Sequence, residues 1–304
     1  MCRAGSQREE AGQGREGPRP GQDAVGGAAP APEESVAPEV EAGWRWERTS
    51  NGVPLLAWDV GPAHARVSCR EGGTSPEPWD SLNVGFHVGD RPERVRANRL
   101  RLFDAIGTRP ERVVWAEQVH GAEVAWVGYP DGGKGSLSPE DSFPGGDGLI
   151  TDVPGLILAM GFADCVPVAL ADPKRGRLAL CHAGWRGTAS GVVVRAVHEL
   201  ERSGSPPEAD IRVAIGPAIG SSYAVDEHVM GPMRARYPWA DEHFDRVTGV
   251  LDLVAVTVHI LRDAGIPAQH LAVTEERTES SRFFSHRTQH GRTGRMAALA
   301  WLAS

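Results

Sequence analysis

Three apolar runs in the middle of the chain, Leu156 to Ala159, Val166 to Leu170 and Leu178 to Leu180, constrain the fold more than any other feature. Each has the length of a strand, and each is bounded by turn residues or by side chains with chemistry of their own. The first two flank Gly161-Phe162-Ala163-Asp164-Cys165, and the third runs into Cys181-His182. Cys165 and His182 therefore fall where strands end. From Trp44 onward, short β-rich runs of this kind alternate with helical patterns, which predicts an α/β or α+β domain rather than a bundle or a sandwich.

The helical segments carry their own punctuation. One helix is expected from Asp90, with Asp90 as cap, Pro92 in the first turn, Glu93 at the capping-box position and Gly107 past the end. Its buried face is Val95, Leu102, Phe103 and Ile106, and the arginines between Arg91 and Arg101 read as its solvent face. Val113 to Ala116 reads as a strand leading to Gln118-Val119-His120-Gly121, with Glu123 to Val127 as its neighbour, so His120 lies at a strand end or turn. Residues 128 to 147, rich in glycine and proline, read as a surface loop. Gly184-Trp185-Arg186-Gly187 opens a helix with Val193, Val197 and Leu200 inside, and further helices are expected at Val225 to Tyr237 and Leu251 to Ala264.

A chain of 304 residues exceeds the usual single domain, yet residues 1–43 hold almost no large apolar side chains. They cannot bury enough surface to offset the entropy of ordering, so a disordered tail over 1–43 and one catalytic domain over 44–304 are expected. The formal charge of -8 is dispersed, and no basic stripe awaits phosphates, which argues against a nucleic-acid partner. The four cysteines, Cys2, Cys69, Cys165 and Cys181, show no CxxC pairing, and no stretch has the length and apolarity of a membrane span. A cytoplasmic protein with no membrane partner is expected, most simply a monomer.

Two imidazoles and a thiolate from His120, Cys165 and His182 would suit zinc, whose catalytic sites take three protein ligands and leave a fourth position open. Taken singly these residues have duller readings. A cysteine between apolar strands is usually a small core residue, a histidine at a turn is usually hydrogen-bonded or solvated, and the spacing matches no short zinc motif.

The wording around them resembles a family. Cys69-Arg70-Glu71-Gly72-Gly73, Ser81-Leu82-Asn83-Val84-Gly85, His87-Val88-Gly89-Asp90 and Gln118-Val119-His120-Gly121 are followed by Gly146-Asp147-Gly148, Ala163-Asp164-Cys165 and His182-Ala183-Gly184-Trp185-Arg186-Gly187. Ile215-Gly216-Pro217, Phe283-Phe284-Ser285 and Gly294-Arg295 complete the series in order. Together they resemble the laccase-domain or polyphenol oxidase family, now regarded as purine nucleoside phosphorylases, the YfiH-like group. The resemblance implies a mixed-sheet domain layered α/β/β/α, with zinc on His120, Cys165 and His182. It also implies phosphorolysis of purine nucleosides (adenosine, inosine, guanosine, methylthioadenosine) and adenosine deamination. The chain departs from the family pattern at Cys69, where threonine is usual, at Val273, and at His286, where an aromatic is frequent.

Phosphorolysis needs an anion held on one side of the ribose and the departing base stabilised on the other. Arg70 and Arg186 are the expected phosphate contacts, and Asp164, His87 and Asn83 the residues that move protons, orient water or bind ribose. Two rivals use the same residues. A copper oxidase would place copper on the Cys/His donors, but it predicts His-x-His pairs that the sequence lacks. A cysteine hydrolase, acting for example on cell-wall peptide precursors, would use Cys165 as nucleophile with His120 or His182 as base.

Overall fold

Alternation along each strand sends neighbouring side chains to opposite faces, and here both faces are buried, which is why the strands read as continuous apolar runs. The computed structural model describes residues 43–202 and 210–304, so the disordered tail expected over 1–43 lies, Gly43 apart, outside the described residues. One six-stranded sheet has the order β1 (Arg45–Arg48), β2 (Pro54–Val60), β3 (Ala63–Ser68), β14 (Met296–Leu302), β7 (Ile157–Phe162), β4 (Val113–Trp115). The other has the order β13 (Leu271–Val273), β10 (Arg212–Ile215), β8 (Val166–Asp172), β9 (Arg177–Ala183), β6 (Gly148–Thr151), β5 (Val124–Trp126). Both are mixed: β4 runs parallel to β7, β13 to β10 and β5 to β6, and the remaining pairs are antiparallel. A small ribbon pairs β11 (Phe244–Asp245) with β12 (Val250–Leu251).

Three cores separate four layers. Leu55, Ile157, Ala159 and Leu299 pack outward against Leu102 and Phe103 of α1 (Pro92–Ala105). Their chain neighbours Leu56, Leu158, Met160 and Ala300 point the other way and meet Ala169, Ala171, Leu178 and Leu180 of the second sheet. Val168, Leu170, Ala179 and Cys181 then face Val193, Val197, Met230 and Ile260, which belong to α3 (Val192–Glu201), α4 (Glu227–Arg236) and α5 (Leu253–Asp263). The result is the expected α/β/β/α layering. Truncating a fully buried side chain such as Leu158 costs about 2–5 kcal/mol, because its cavity does not close.

The chain passes between the sheets at two places that matter. After β4 it crosses from the first sheet to β5 in the second, and after β7 it crosses to β8. His120 lies in the first crossing and Cys165 in the second. The hairpin of β8 and β9 pairs Val166 with Ala183, so Cys165 and His182 arrive side by side despite their separation in sequence. Sheet-to-sheet crossings thus assemble the site.

Several local expectations are corrected. Val124–Trp126 does not pair with Val113–Trp115, because β5 joins the other sheet beside β6. The carboxylate of Asp90 does not cap α1. It accepts from Ser75 Oγ, Asn83 Nδ2 and the Arg91 amide, and Arg91 is the cap residue without a side-chain bond. Arg99 is buried rather than on the solvent face, donating to the carbonyls of Val84, Gly135 and Ser136 over the ring of Trp115. The 128–147 loop is correspondingly drawn inward, with Ser136 and Asp147 buried. The helix after Gly184 is two helices, α2 (Trp185–Ser190) and α3, divided at Gly191, whose φ of 86° favours glycine. Among the described residues no helix is long and apolar enough to cross a membrane.

Candidate metal centre

His120, Cys165 and His182 each offer a ligand atom, and these atoms lie within 4.8 Å of one another. Exposure is graded across the group, from exposed His120 through half-buried Cys165 to buried His182. Nitrogen and sulfur donors so grouped fit a tetrahedral transition metal with one position left open. Gly184 leaves room for them: a Cβ there would lie 2.8 Å from Cys165 Sγ and 3.4 Å from the His120 ring. The two imidazoles stand edge to face, 4.9 Å between centroids, and the ring of Phe162 closes the inner side of His182.

The backbone is strained where it delivers these groups. His120 has φ 59° and Asp164, next to Cys165, has φ 88°, left-handed conformations that non-glycine residues adopt at a cost of order 1–3 kcal/mol. Tertiary hydrogen bonds hold both turns. Gln118 exchanges two 2.8 Å bonds with the backbone N–H and C=O of Gly161 on β7, anchoring the His120 loop to the first sheet. Asp164 accepts from Thr278 Oγ1 at 2.6 Å and from the Arg287 amide at 2.7 Å, fastening the C-terminal segment beside Cys165.

Asp147 accepts from His182 Nδ1 at 2.8 Å, which turns Nε2 toward the thiol. Its second oxygen accepts from the amides of Val119 and Gly121 on either side of His120. Burial alone would raise the Asp147 carboxyl, but His182 and these amides hold it below its ordinary value. Burial would likewise raise the Cys165 thiol, yet the two histidines outweigh it and draw the thiol down. His182 moves the opposite way: burial opposes its charge, and Cys165 and Asp147 push it up. Proton and charge separate within the pair, leaving a sulfur prepared to bind a cation.

The other expected residues occupy distinct places. Arg186 is exposed, packs over the Trp185 ring, and has no carboxylate at ion-pair distance among the described residues. Arg70 is occupied: its guanidinium binds the backbone carbonyl and carboxylate of Asp80 at 2.8 Å and covers the ring of Phe284. Asn83 is fully buried, donating to Gly85 O and Asp90 and accepting from the amides of Gly85 and Arg295. It shapes the loop rather than the space above the donors. His87 stands at the surface, where partial desolvation and the charges of Arg295 and Arg99 hold it below its ordinary value and neutral at pH 7.

Two residues went unassigned in the sequence. Asp147 carried only the weak signal of an acid within Gly-Asp-Gly. Arg295 lay in a motif without a role, but its stem runs past Gly85 and Gly161, where a Cβ would approach it to 2.7 and 3.7 Å. The charges of Cys165 and Asp164 act on its guanidinium.

Fold and site together define a layered α/β protein with a histidine–cysteine centre at its sheet crossings. The chain belongs to the family described as multi-copper polyphenol oxidoreductase laccase, whose sequence profile matches residues 64–303, and the resemblance carried by the motifs is borne out. It is 41% identical over 257 residues to purine nucleoside phosphorylase YlmD of Geobacillus stearothermophilus, covering 82% of this chain and 92% of the relative. It is 38% identical over 250 residues to a protein of Mycobacterium bovis also named a purine nucleoside phosphorylase, covering 80% and 95%. The crystal structure of YfiH from Bacillus licheniformis matches with a TM-score of 0.79 at 37% identity, covering 85% of this chain and 98% of that one. That of YlmD from Geobacillus stearothermophilus matches with a TM-score of 0.78, also at 37% identity, covering 86% and 100%.

Proposed function

We propose that this chain is a zinc-dependent purine nucleoside phosphorylase, converting adenosine, inosine, guanosine or methylthioadenosine and inorganic phosphate to free base and the sugar 1-phosphate. The observation that carries the reading is the convergence of His120, Cys165 and His182, with ligand atoms within 4.8 Å. Arg186, two residues past the Gly184 that seats Cys165, is exposed and has no carboxylate at ion-pair distance among the described residues. Relatives named as purine nucleoside phosphorylases support the reaction class. Zinc suits two imidazoles and one thiolate with an open fourth position. Copper binds such donors tightly, but a multicopper oxidase needs several copper sites, and among the described residues one donor group of this kind is found.

When bound, zinc supplies Lewis acidity at the open position. Arg186 holds phosphate through its planar fork and presents an oxygen to the anomeric carbon of the ribose. The bond from that carbon to oxygen forms as its bond to the purine nitrogen breaks, and the departing base takes up the proton that the phosphate gives up. His87, neutral at pH 7, hydrogen-bonds to the base or ribose. Arg70, held by Asp80, supports the wall formed by Phe284, and Asp164 and Asn83 keep the segments around Cys165 and Arg295 in place. Adenosine deamination, in which water replaces the C6 amino group and ammonia leaves, is a second reaction of the same centre.

One observation favours a second reading. Cys165, His182 and Asp147 line up as thiol, imidazole and carboxylate, the order used by cysteine hydrolases, so a metal-free protein acting on cell-wall peptide precursors is the rival. The deciding experiment measures metal content of protein purified without added metal, and purine base release from adenosine and inosine with and without phosphate. Near-stoichiometric zinc and phosphate-dependent base release, both lost in Cys165→Ala, are expected. Metal-free protein that hydrolyses peptide precursors would establish the rival instead.

A further inference from the structure

We infer that Asp147 is the positioning residue of the metal centre, acting on two of its three ligands through one carboxylate. The inference rests on the zinc reading above and concerns a residue to which that reading gives no role.

Asp147 touches His182 twice. Its backbone carbonyl accepts the His182 amide at 2.8 Å, and its Oδ1 accepts from the His182 ring at Nδ1, also at 2.8 Å. A carboxylate can only accept at that position, so Nδ1 carries a hydrogen and Nε2 is the nitrogen left to meet a metal, which displaces any proton held there. The same carboxylate reaches His120 indirectly. Its Oδ2 accepts from Gly121 N at 2.6 Å and from Val119 N at 3.1 Å, the two amides flanking His120, whose backbone lies in the left-handed region. Asp147 has no solvent exposure, so bulk water does not compete for its oxygens. One buried group therefore selects the tautomer of one ligand and stabilises the strained turn that presents the other.

Asparagine at 147 cannot do both. With its oxygen on the two amides, its NH2 faces His182 Nδ1 and favours a hydrogen on Nε2, the nitrogen a metal needs. Flipped, it keeps the tautomer and loses the turn.

The test compares wild-type protein and Asp147→Asn by zinc competition against a chelator, and by the visible spectrum of the cobalt(II)-substituted forms. Asp147→Asn is expected to bind zinc roughly 10- to 100-fold more weakly, with a cobalt spectrum changed in its thiolate and ligand-field bands. Equal zinc affinity with an unchanged spectrum would overturn the inference. Should the variant not fold, nitrogen NMR of zinc-loaded wild-type protein decides: His182 protonated at Nδ1 and coordinated through Nε2 is expected, and coordination through Nδ1 would refute the assignment. Wild-type protein that takes no zinc at all would instead remove the zinc reading on which the inference stands.

Discussion

Gly184 is the empty volume against which Cys165 is seated: a Cβ at 184 would stand 2.8 Å from Sγ, closer than such atoms approach. The φ of Gly184 is -75°, so the requirement for glycine here comes from space and not from backbone conformation. Gly184→Ala is therefore expected to fold and to displace the thiol. A misplacement of about 1 Å costs roughly 100-fold where geometry governs function. Phosphate-dependent base release should fall by about that factor, with thermal unfolding of the metal-free protein within a few degrees of wild type; unchanged turnover would show that the sulfur is not where the reaction needs it.

The two arginines expected at phosphate are separable by kinetics. Arg186 has no carboxylate to compete with an anion among the described residues, whereas Arg70 is bound to Asp80 and lies over Phe284. Loss of one charge-assisted hydrogen bond is worth about 1.5–3 kcal/mol, or roughly 10- to 100-fold. Arg186→Ala should raise the KM for phosphate by that factor. Arg70→Ala should raise it less and lower the melting temperature instead. The reverse pattern in initial rates over a phosphate series would exchange their roles.

Acid should reveal the cluster on Asp59. Burial raises this carboxyl, but His64, Arg66 and Arg45 outweigh it and hold it well below the usual carboxylate range. A depressed carboxylate contributes stability that is complete above its unfolded value, near ~3.9, and is lost as pH falls through the folded value. Asp59→Asn should lower stability by about 1–2 kcal/mol at pH 7, discounted for partial exposure. The gap from wild type should hold down to about pH 4 and narrow below it. A gap that is flat down to pH 2 in denaturant titrations would exclude the carboxylate as its source.

Arg99 is a buried cation whose partners are backbone carbonyls and aromatic rings, with Val84 on one side and Gly135 and Ser136 on the other. Removing it strands acceptors that water cannot reach, at about 1–3 kcal/mol each. Arg99→Ala should thus cost at least about 3 kcal/mol by urea unfolding. A loss under 1 kcal/mol would mean that water enters the space.

Local chemistry was enough for part of this protein. The apolar runs Leu156 to Ala159, Val166 to Leu170 and Leu178 to Leu180 mark the strands at 157–162, 166–172 and 177–183, the helices near 92–105, 227–236 and 253–263 fall close to where their caps and periodicity place them, and the motif order identifies the family. His120, Cys165 and His182 were legible as candidate metal donors because the motifs around them resemble the family's, and not from their types and spacing alone; the fold brings their ligand atoms within 4.8 Å. Tertiary structure decided what depends on pairing and burial. A strand of three residues such as Val124–Trp126 does not encode which sheet it joins, since parallel pairing with β6 is set by the crossing, not by the segment. Arg99 in an arginine-rich helix looks like its solvated neighbours until the 135–136 loop closes over it. Asp147 looks like a turn residue until β6 and β9 pair and bring its carboxylate to His182 and the amides around His120. Side-chain type is written residue by residue; hydrogen-bond partners across long sequence separations exist only once the sheets have set the register.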